Sequence, residues 1–117
     1  MSTNIVYEDG NQLAVACTAP TTPAAGGPVI FGKRPGVALT AEDADGLTTV
    51  KFNGVATLSV KGHDGSSNAA IAAGDIIYFT DGDTPKLNVR TAGTRFGYAM
   101  EAVTSGATAT IKVMIGY

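Results

Sequence analysis

Residues 107–116 alternate without a break. Ala109, Ile111, Val113 and Ile115 stand on one side, Thr108, Thr110, Lys112 and Met114 on the other. A period of two puts successive side chains on opposite faces of an extended strand, whereas a helix groups residues three and four apart. This segment therefore reads as a strand with one face in a core. Residues 12–18 repeat the pattern, Leu13, Val15 and Cys17 opposing Gln12, Ala14 and Ala16.

Between these ends the chain is cut into short apolar runs by turn residues. An extended loop with two prolines and two glycines is expected over 19–27, since Gly and Pro punctuate regular structure. Residues 28–31 form a short apolar run, 32–36 a turn and 36–39 another strand. Residues 40–46, with Glu42, Asp43 and Asp45, read as an exposed acidic loop. Asn53-Gly54 predicts a hairpin joining strands 47–53 and 55–61, because both residues tolerate positive φ. The Ala-rich residues 68–73 fit one helical turn. Strands are expected over 76–80, 85–91 and 95–103, with Asp81-Gly82-Asp83 and Gly93 turning the chain. About nine strands with regular turn signals argue for an all-β barrel or sandwich.

Composition agrees. Val (10), Ile (7) and Thr (15) outweigh Leu (5), which is a sheet palette, and 18 alanines act as small filler. At 117 residues the chain is one domain, divided into an N-terminal arm over 1–11 and a single β-barrel domain over 12–117. Eight basic and ten acidic residues give a net charge of −2, with neither the basic stripe of a nucleic-acid binder nor a polybasic membrane anchor. The single Cys17 fits a reducing compartment or a protein that needs no bridges, and the sequence pattern shows neither a signal peptide nor a bilayer-spanning run, so a soluble protein made and folded in the cytoplasm is expected.

An internal repeat runs through the chain. Gly36-Val37-Ala38-Leu39-Thr40-Ala41 aligns with Gly97-Tyr98-Ala99-Met100-Glu101-Ala102, and Thr49-Val50-Lys51-Phe52 with Thr110-Ile111-Lys112-Val113, both at an offset of 61 residues. Gly27-Pro28-Val29-Ile30-Phe31 parallels Gly74-Asp75-Ile76-Ile77-Tyr78 at another offset. Two related β units are expected, the second enlarged by a hairpin near 80–95.

Chemistry-bearing patterns are few. Gly27 to Lys33 has the spacing of a phosphate loop, but Arg34 stands where a hydroxyl should hold Mg²⁺, Pro28 lacks an N–H, and Val29-Ile30-Phe31 reads as strand core. His63-Asp64-Gly65-Ser66-Ser67 gathers triad residue types in one loop, where adjacent residues cannot place a base between nucleophile and carboxylate. Asp81-Gly82-Asp83 resembles a calcium loop, yet the position needing Glu is Ala92. One His and one Cys make no zinc site. Cys17 reads as an inert thiol on an apolar face. Catalytic residues, cofactors and metals are accordingly not expected, and the function is one of contact.

The order of several motifs resembles a known family. Tyr7-Glu8-Asp9-Gly10 precedes an apolar strand; Gly27-Pro28-Val29-Ile30-Phe31-Gly32, Gly36-Val37-Ala38-Leu39 and Gly54 follow. Gly74-Asp75-Ile76-Ile77-Tyr78, Phe96-Gly97-Tyr98-Ala99-Met100-Glu101 and Gly106-Ala107-Thr108-Ala109-Thr110-Ile111-Lys112-Val113 complete it. This order resembles the capsid decoration, or cement, proteins of tailed bacteriophages. The resemblance implies a compact β-barrel, β-tulip-like, with a flexible N-terminal arm and at most one short helix. It implies attachment to the outside of an icosahedral head, between capsomers, with the major capsid protein and other copies of the chain as partners. A homotrimer is favoured, and no direct nucleic-acid or membrane partner is implied. The arm would be Ser2, Thr3, Asn4, Ile5, Val6 and Tyr7, adding a strand to the capsid protein. The expected location is the virion surface. The competing reading is another phage or bacterial β module, a tail or baseplate adaptor that binds a partner or glycan.

Overall fold

The computed structural model describes residues 12–116, and these hold nine strands and no helix. The strands are β1 Gln12–Val15, β2 Pro28–Phe31, β3 Arg34–Ala38, β4 Thr48–Lys51 and β5 Val55–Lys61. β6 Ile76–Phe79, β7 Leu87–Asn88, β8 Thr94–Ala99 and β9 Thr108–Ile115 complete them. The all-β expectation and the closed barrel are thus observed. The arm expected over residues 1–11, including Ser2, Thr3, Asn4, Ile5, Val6 and Tyr7, lies outside the described residues.

The second half of the described chain forms the closed barrel, in the order β5-β7-β6-β8-β9. Its long seam is the antiparallel β5–β9 pair, which runs from Val55↔Met114 to Lys61↔Thr108. The period-two pattern does what it should here. Leu58, Val60, Ile111, Val113 and Ile115 are buried inside, while Thr108, Thr110, Lys112 and Met114 face out. Ile77, Phe79, Leu87, Phe96 and Ala99 fill the rest of this core. Each fully buried Ile, Leu or Phe contributes about 1.5–3 kcal/mol. Phe96 reaches the interior through a bulge: Ile77 pairs with Gly97 and Tyr78 with Arg95, so Phe96 is the extra residue on β8.

The first half forms a four-stranded antiparallel sheet in the order β1-β4-β3-β2. One face sends Ile30 and Val37 into the barrel's apolar cluster, which joins the two halves. The other face holds a second cluster of Val29, Ala38, Val50 and Phe52, with Leu13, Val15 and Cys17 packed against it. Beyond β1 the chain crosses to the opposite edge, where Ile30 donates to the Ala19 carbonyl at 2.8 Å and Thr18 donates to the Ile30 carbonyl at 2.8 Å. Residues 12–19 therefore touch both edges of one sheet and wrap it around its own cluster.

The two halves share a topology. Strands β1, β2, β3 and β4 correspond to β5, β6, β8 and β9, and both sets run in the order first-fourth-third-second. β7 lies in the inserted 80–95 region and closes the second unit by pairing in parallel with β5 and antiparallel with β6. The sequence repeat is thus a repeat of architecture. Gly36 and Gly97, matched in the repeat, both lie against a fourth strand so closely that a side chain would meet Val50 and the Lys51 carbonyl in the first unit, and the Met114 carbonyl in the second.

Several local expectations change. Residues 47–53 and 55–61 are not a hairpin: β4 pairs with β1 and β3, while β5 pairs with β9 and β7. Asn53-Gly54 instead hands the chain from one sheet to the other, using the Gly54 φ of 97° to turn the corner. Residues 68–73 contain no helical turn. Asn68 and Ile71 form isolated bridges to His63 and Val103, and that pairing outweighs the helix preference of the alanines. The expected strand 85–91 shrinks to two residues. The turn 32–36 tightens to Gly32-Lys33, because Arg34 and Pro35 already pair with Phe31 and Ile30.

Candidate contact surfaces

The patterns that imitate active sites prove to be framework. Val29 and Ile30, at the centre of the phosphate-loop spacing, are strand residues buried in two different clusters. In the 63–67 loop His63 Nδ1 accepts from the Gly65 amide at 2.9 Å, and Asp64 Oδ1 accepts from the Ser66 and Ser67 amides at 2.9 and 2.8 Å. Those two amide donors, Ser67 first, hold the exposed Asp64 carboxyl below its ordinary value of 3.8. The side chains stabilise a turn and do not line up as a relay. Asp81 pairs with Lys86 at 3.1 Å, and Asp83 with Arg90 at 3.4 Å. Asp83 also accepts from the buried Asn88 Nδ2 at 2.9 Å. These carboxylates pin the 81–90 loop onto β7. Asp43 Oδ1 caps its own loop by accepting from the Asp45 and Leu47 amides, leaving Glu42 and Asp45 exposed. Among the described residues no group of three His, Cys, Asp or Glu stands ready for a metal ion.

Cys17 lies half-buried on the inward face of its segment, beside Leu13 and Val15. Burial pushes its thiol upward, against the lowering by the Thr48 hydroxyl, and Glu42 raises it further. A thiol raised in this way carries less thiolate and is a poor nucleophile.

Two surfaces offer contact. The first crosses the outside of the barrel. Val55 pairs with Met114, Met114 with Tyr98, and Tyr98 with Ile76, so four apolar or aromatic side chains stand in register across β5, β9, β8 and β6. Val55 is 53% and Met114 41% exposed, and Met100, 45% exposed, lies diagonally from Met114. The alternation predicts a polar outer row, as Thr108, Thr110 and Lys112 supply; at this end it is apolar instead. Contiguous exposed apolar surface of this kind marks interaction sites.

The second surface is the open end of the four-stranded sheet, where Leu13, Phe31, Arg34 and Phe52 line a depression of about 280 Å³. The Phe31 and Phe52 rings meet at 6.3 Å and 57°, and the Arg34 guanidinium lies 5.6 Å over Phe52. A neighbouring hollow adds Lys33, Asn53 and Ile115 around the same Arg34 and Phe52. In the sequence Phe31, Arg34 and Phe52 are spread over 22 residues, and nothing in their order joins them. The register that brings Phe31, Arg34 and Phe52 to one end of one face is tertiary information.

The described residues thus form a small all-β fold, a closed barrel with an appended sheet, that offers surfaces for packing. Comparison with protein families sharpens this: the phage cement protein family matches residues 7–115. The chain belongs to that family and so to the structural proteins of the bacteriophage capsid. No curated protein and no solved structure matches the chain.

Proposed function

We propose that the protein decorates the outside of an icosahedral phage head, binds between capsomers and stiffens the shell against internal pressure. The observation that carries this reading is the cement-family match across residues 7–115. In this reading the major capsid protein is the principal partner. The arm residues Ser2, Thr3, Asn4, Ile5, Val6 and Tyr7 supply a strand to its sheet, main-chain hydrogen bonds giving affinity and alternate side chains specificity.

Copies of the chain assemble as a closed oligomer, a trimer by preference, on the shell or before it. The apolar ladder Val55–Met114–Tyr98–Ile76 supports such self-association, because its burial between neighbours removes exposed hydrophobic surface. A ring multiplies individually weak head contacts through effective concentration. Before assembly the subunit resides in the host cytoplasm.

Cryo-electron microscopy of the parent particle tests the proposal. Density for this fold between capsomers, with neighbouring copies in contact, is the expected result. An undecorated shell, or the protein located in the tail, would refute it.

A further inference from the structure

Strand β5 carries a hydrogen-bonding edge that the described fold leaves unused. On one side β5 pairs with β9 along its whole length; on the other it meets β7 only at Val60↔Leu87. The direction of the remaining main-chain groups follows from β9. Lys112, opposite Thr57, gives its amide to the Glu101 carboxylate at 2.8 Å, and its carbonyl accepts from the Met100 amide at 2.9 Å. The Thr57↔Lys112 pair therefore exchanges no hydrogen bonds, and by antiparallel alternation neither does Ser59↔Thr110. The Thr57 N–H and C=O and the Ser59 N–H thus point away from β9, into the space beside β5.

That space is a groove of about 430 Å³. Thr57, Leu58 and Ser59 line it together although Leu58 is buried and its two neighbours are exposed, so the groove follows the main chain of β5. Residues 26–28 and 83–86 form the other walls. Both charges on those walls are already compensated: Asp83 accepts from Arg90 and Asn88, and Lys86 pairs with Asp81. The groove therefore offers main-chain donors and an acceptor at strand spacing, bordered by the Thr57, Ser59, Thr84 and Thr110 hydroxyls. That chemistry suits an uncharged stretch of extended polypeptide and gives no purchase to an anion or an acidic peptide.

We propose that this groove takes an extended, uncharged segment of the major capsid protein, which adds to β5 as a strand. The inference rests on the decoration reading, which supplies the partner. Main-chain bonds to Thr57 and Ser59 would carry the affinity, and the walls would limit side-chain size. The partner residue that bonds the Thr57 carbonyl must keep an N–H, so it is not proline. A second copy of the described body is the poorer occupant, because all nine of its strands are already committed to its own sheet and barrel. The contact is separate from the arm over residues 2–7, so head binding has two independent parts.

The experiment is amide hydrogen exchange on full-length protein, free and bound to undecorated expanded heads, quenched and read residue by residue. In the free protein Thr57 and Ser59 should exchange fast while Leu58 and Val60, bonded to β9, exchange slowly. On heads, Thr57 and Ser59 should slow by about tenfold or more. Thr57→Pro, which removes the donor, should weaken head binding by about tenfold or more. Thr57→Val, which keeps the N–H and loses the hydroxyl, should bind like the natural chain. Bound protein with Thr57 and Ser59 still fast would overturn this proposal and leave decoration standing, and so would equal weakening by the two variants. Failure to bind heads at all would overturn both readings. Protection in the free protein that grows with its concentration would give the groove to a second copy and overturn the proposal. Should Thr57→Pro fail to fold, the exchange measurement on the natural chain decides.

Discussion

The Ile115 amide donates to the Gly54 carbonyl across 2.8 Å, which ties the last strand to the corner where the chain leaves the first sheet for the barrel. Gly54 holds a φ of 97° there. One residue thus serves a turn, a sheet-to-sheet handover and the end of the β5–β9 seam.

Replacing Gly54 with Ala should destabilise the fold by about 1–2 kcal/mol, the cost of placing a Cβ at positive φ. Chemical denaturation checks this: the midpoint should fall with an unchanged slope, since the fold itself persists.

Gly97→Ala should be far worse, costing about 4 kcal/mol or more, because the new Cβ meets the Met114 carbonyl and lies 3.3 Å from the Ile115 Cα, both backbone positions of β9. Gly82→Ala is the control: nothing lies within 4 Å of its Cβ, and its stability should stay within about 0.5 kcal/mol. Parallel thermal melts of the two variants decide the matter.

Asp64 links stability to pH. Its folded carboxyl is held below the ordinary 3.8 by the Ser67 and Ser66 amides. Its stabilising contribution is therefore full above that ordinary value and is lost as pH falls through the lower folded value. A carbon-detected titration should place the Asp64 midpoint below 3.8, and Asp64→Asn should flatten the acid limb of the stability curve.

Changing Met114 to Asp should leave the barrel folded, since this side chain faces out, while abolishing self-association through the ladder. Light scattering on the protein and on decorated heads reads the outcome. A variant that assembles like the natural chain would remove the ladder from the interface.

Deleting residues 2–7 should leave the barrel folded and weaken attachment to expanded heads. Co-sedimentation with heads measures the loss, and undiminished binding would remove those residues from docking.

Much of the fold was legible because it is local. The alternation in residues 107–116 and 12–18 assigned β9 and the inward Leu13, Val15 and Cys17, since burial of one face selects period two. The repeat of residues 36–41 at 97–102 anticipated that β3 and β8 hold equivalent places, whereas the hairpin expected near 80–95 reduces to the two-residue β7 beside β6 and β5. The contact surfaces were less visible. Phe31 and Arg34 come from β2 and β3 and Phe52 follows β4, while Val55, Met114, Tyr98 and Ile76 come from four strands, so only register unites them.

The sequence by itself determined strand periodicity, turn positions and the family, because each is written in the order of neighbouring residues. Which strand lies beside which was decided only in the tertiary structure. Asn53-Gly54 has the chemistry of a hairpin, yet Val50 and Phe52 are buried with Val29 and Ala38, while Leu58 and Val60 are buried with Ile111 and Val113. Backbone hydrogen bonds are nearly alike whichever strands pair, so the local turn preference is weak against burying two apolar faces in two separate cores.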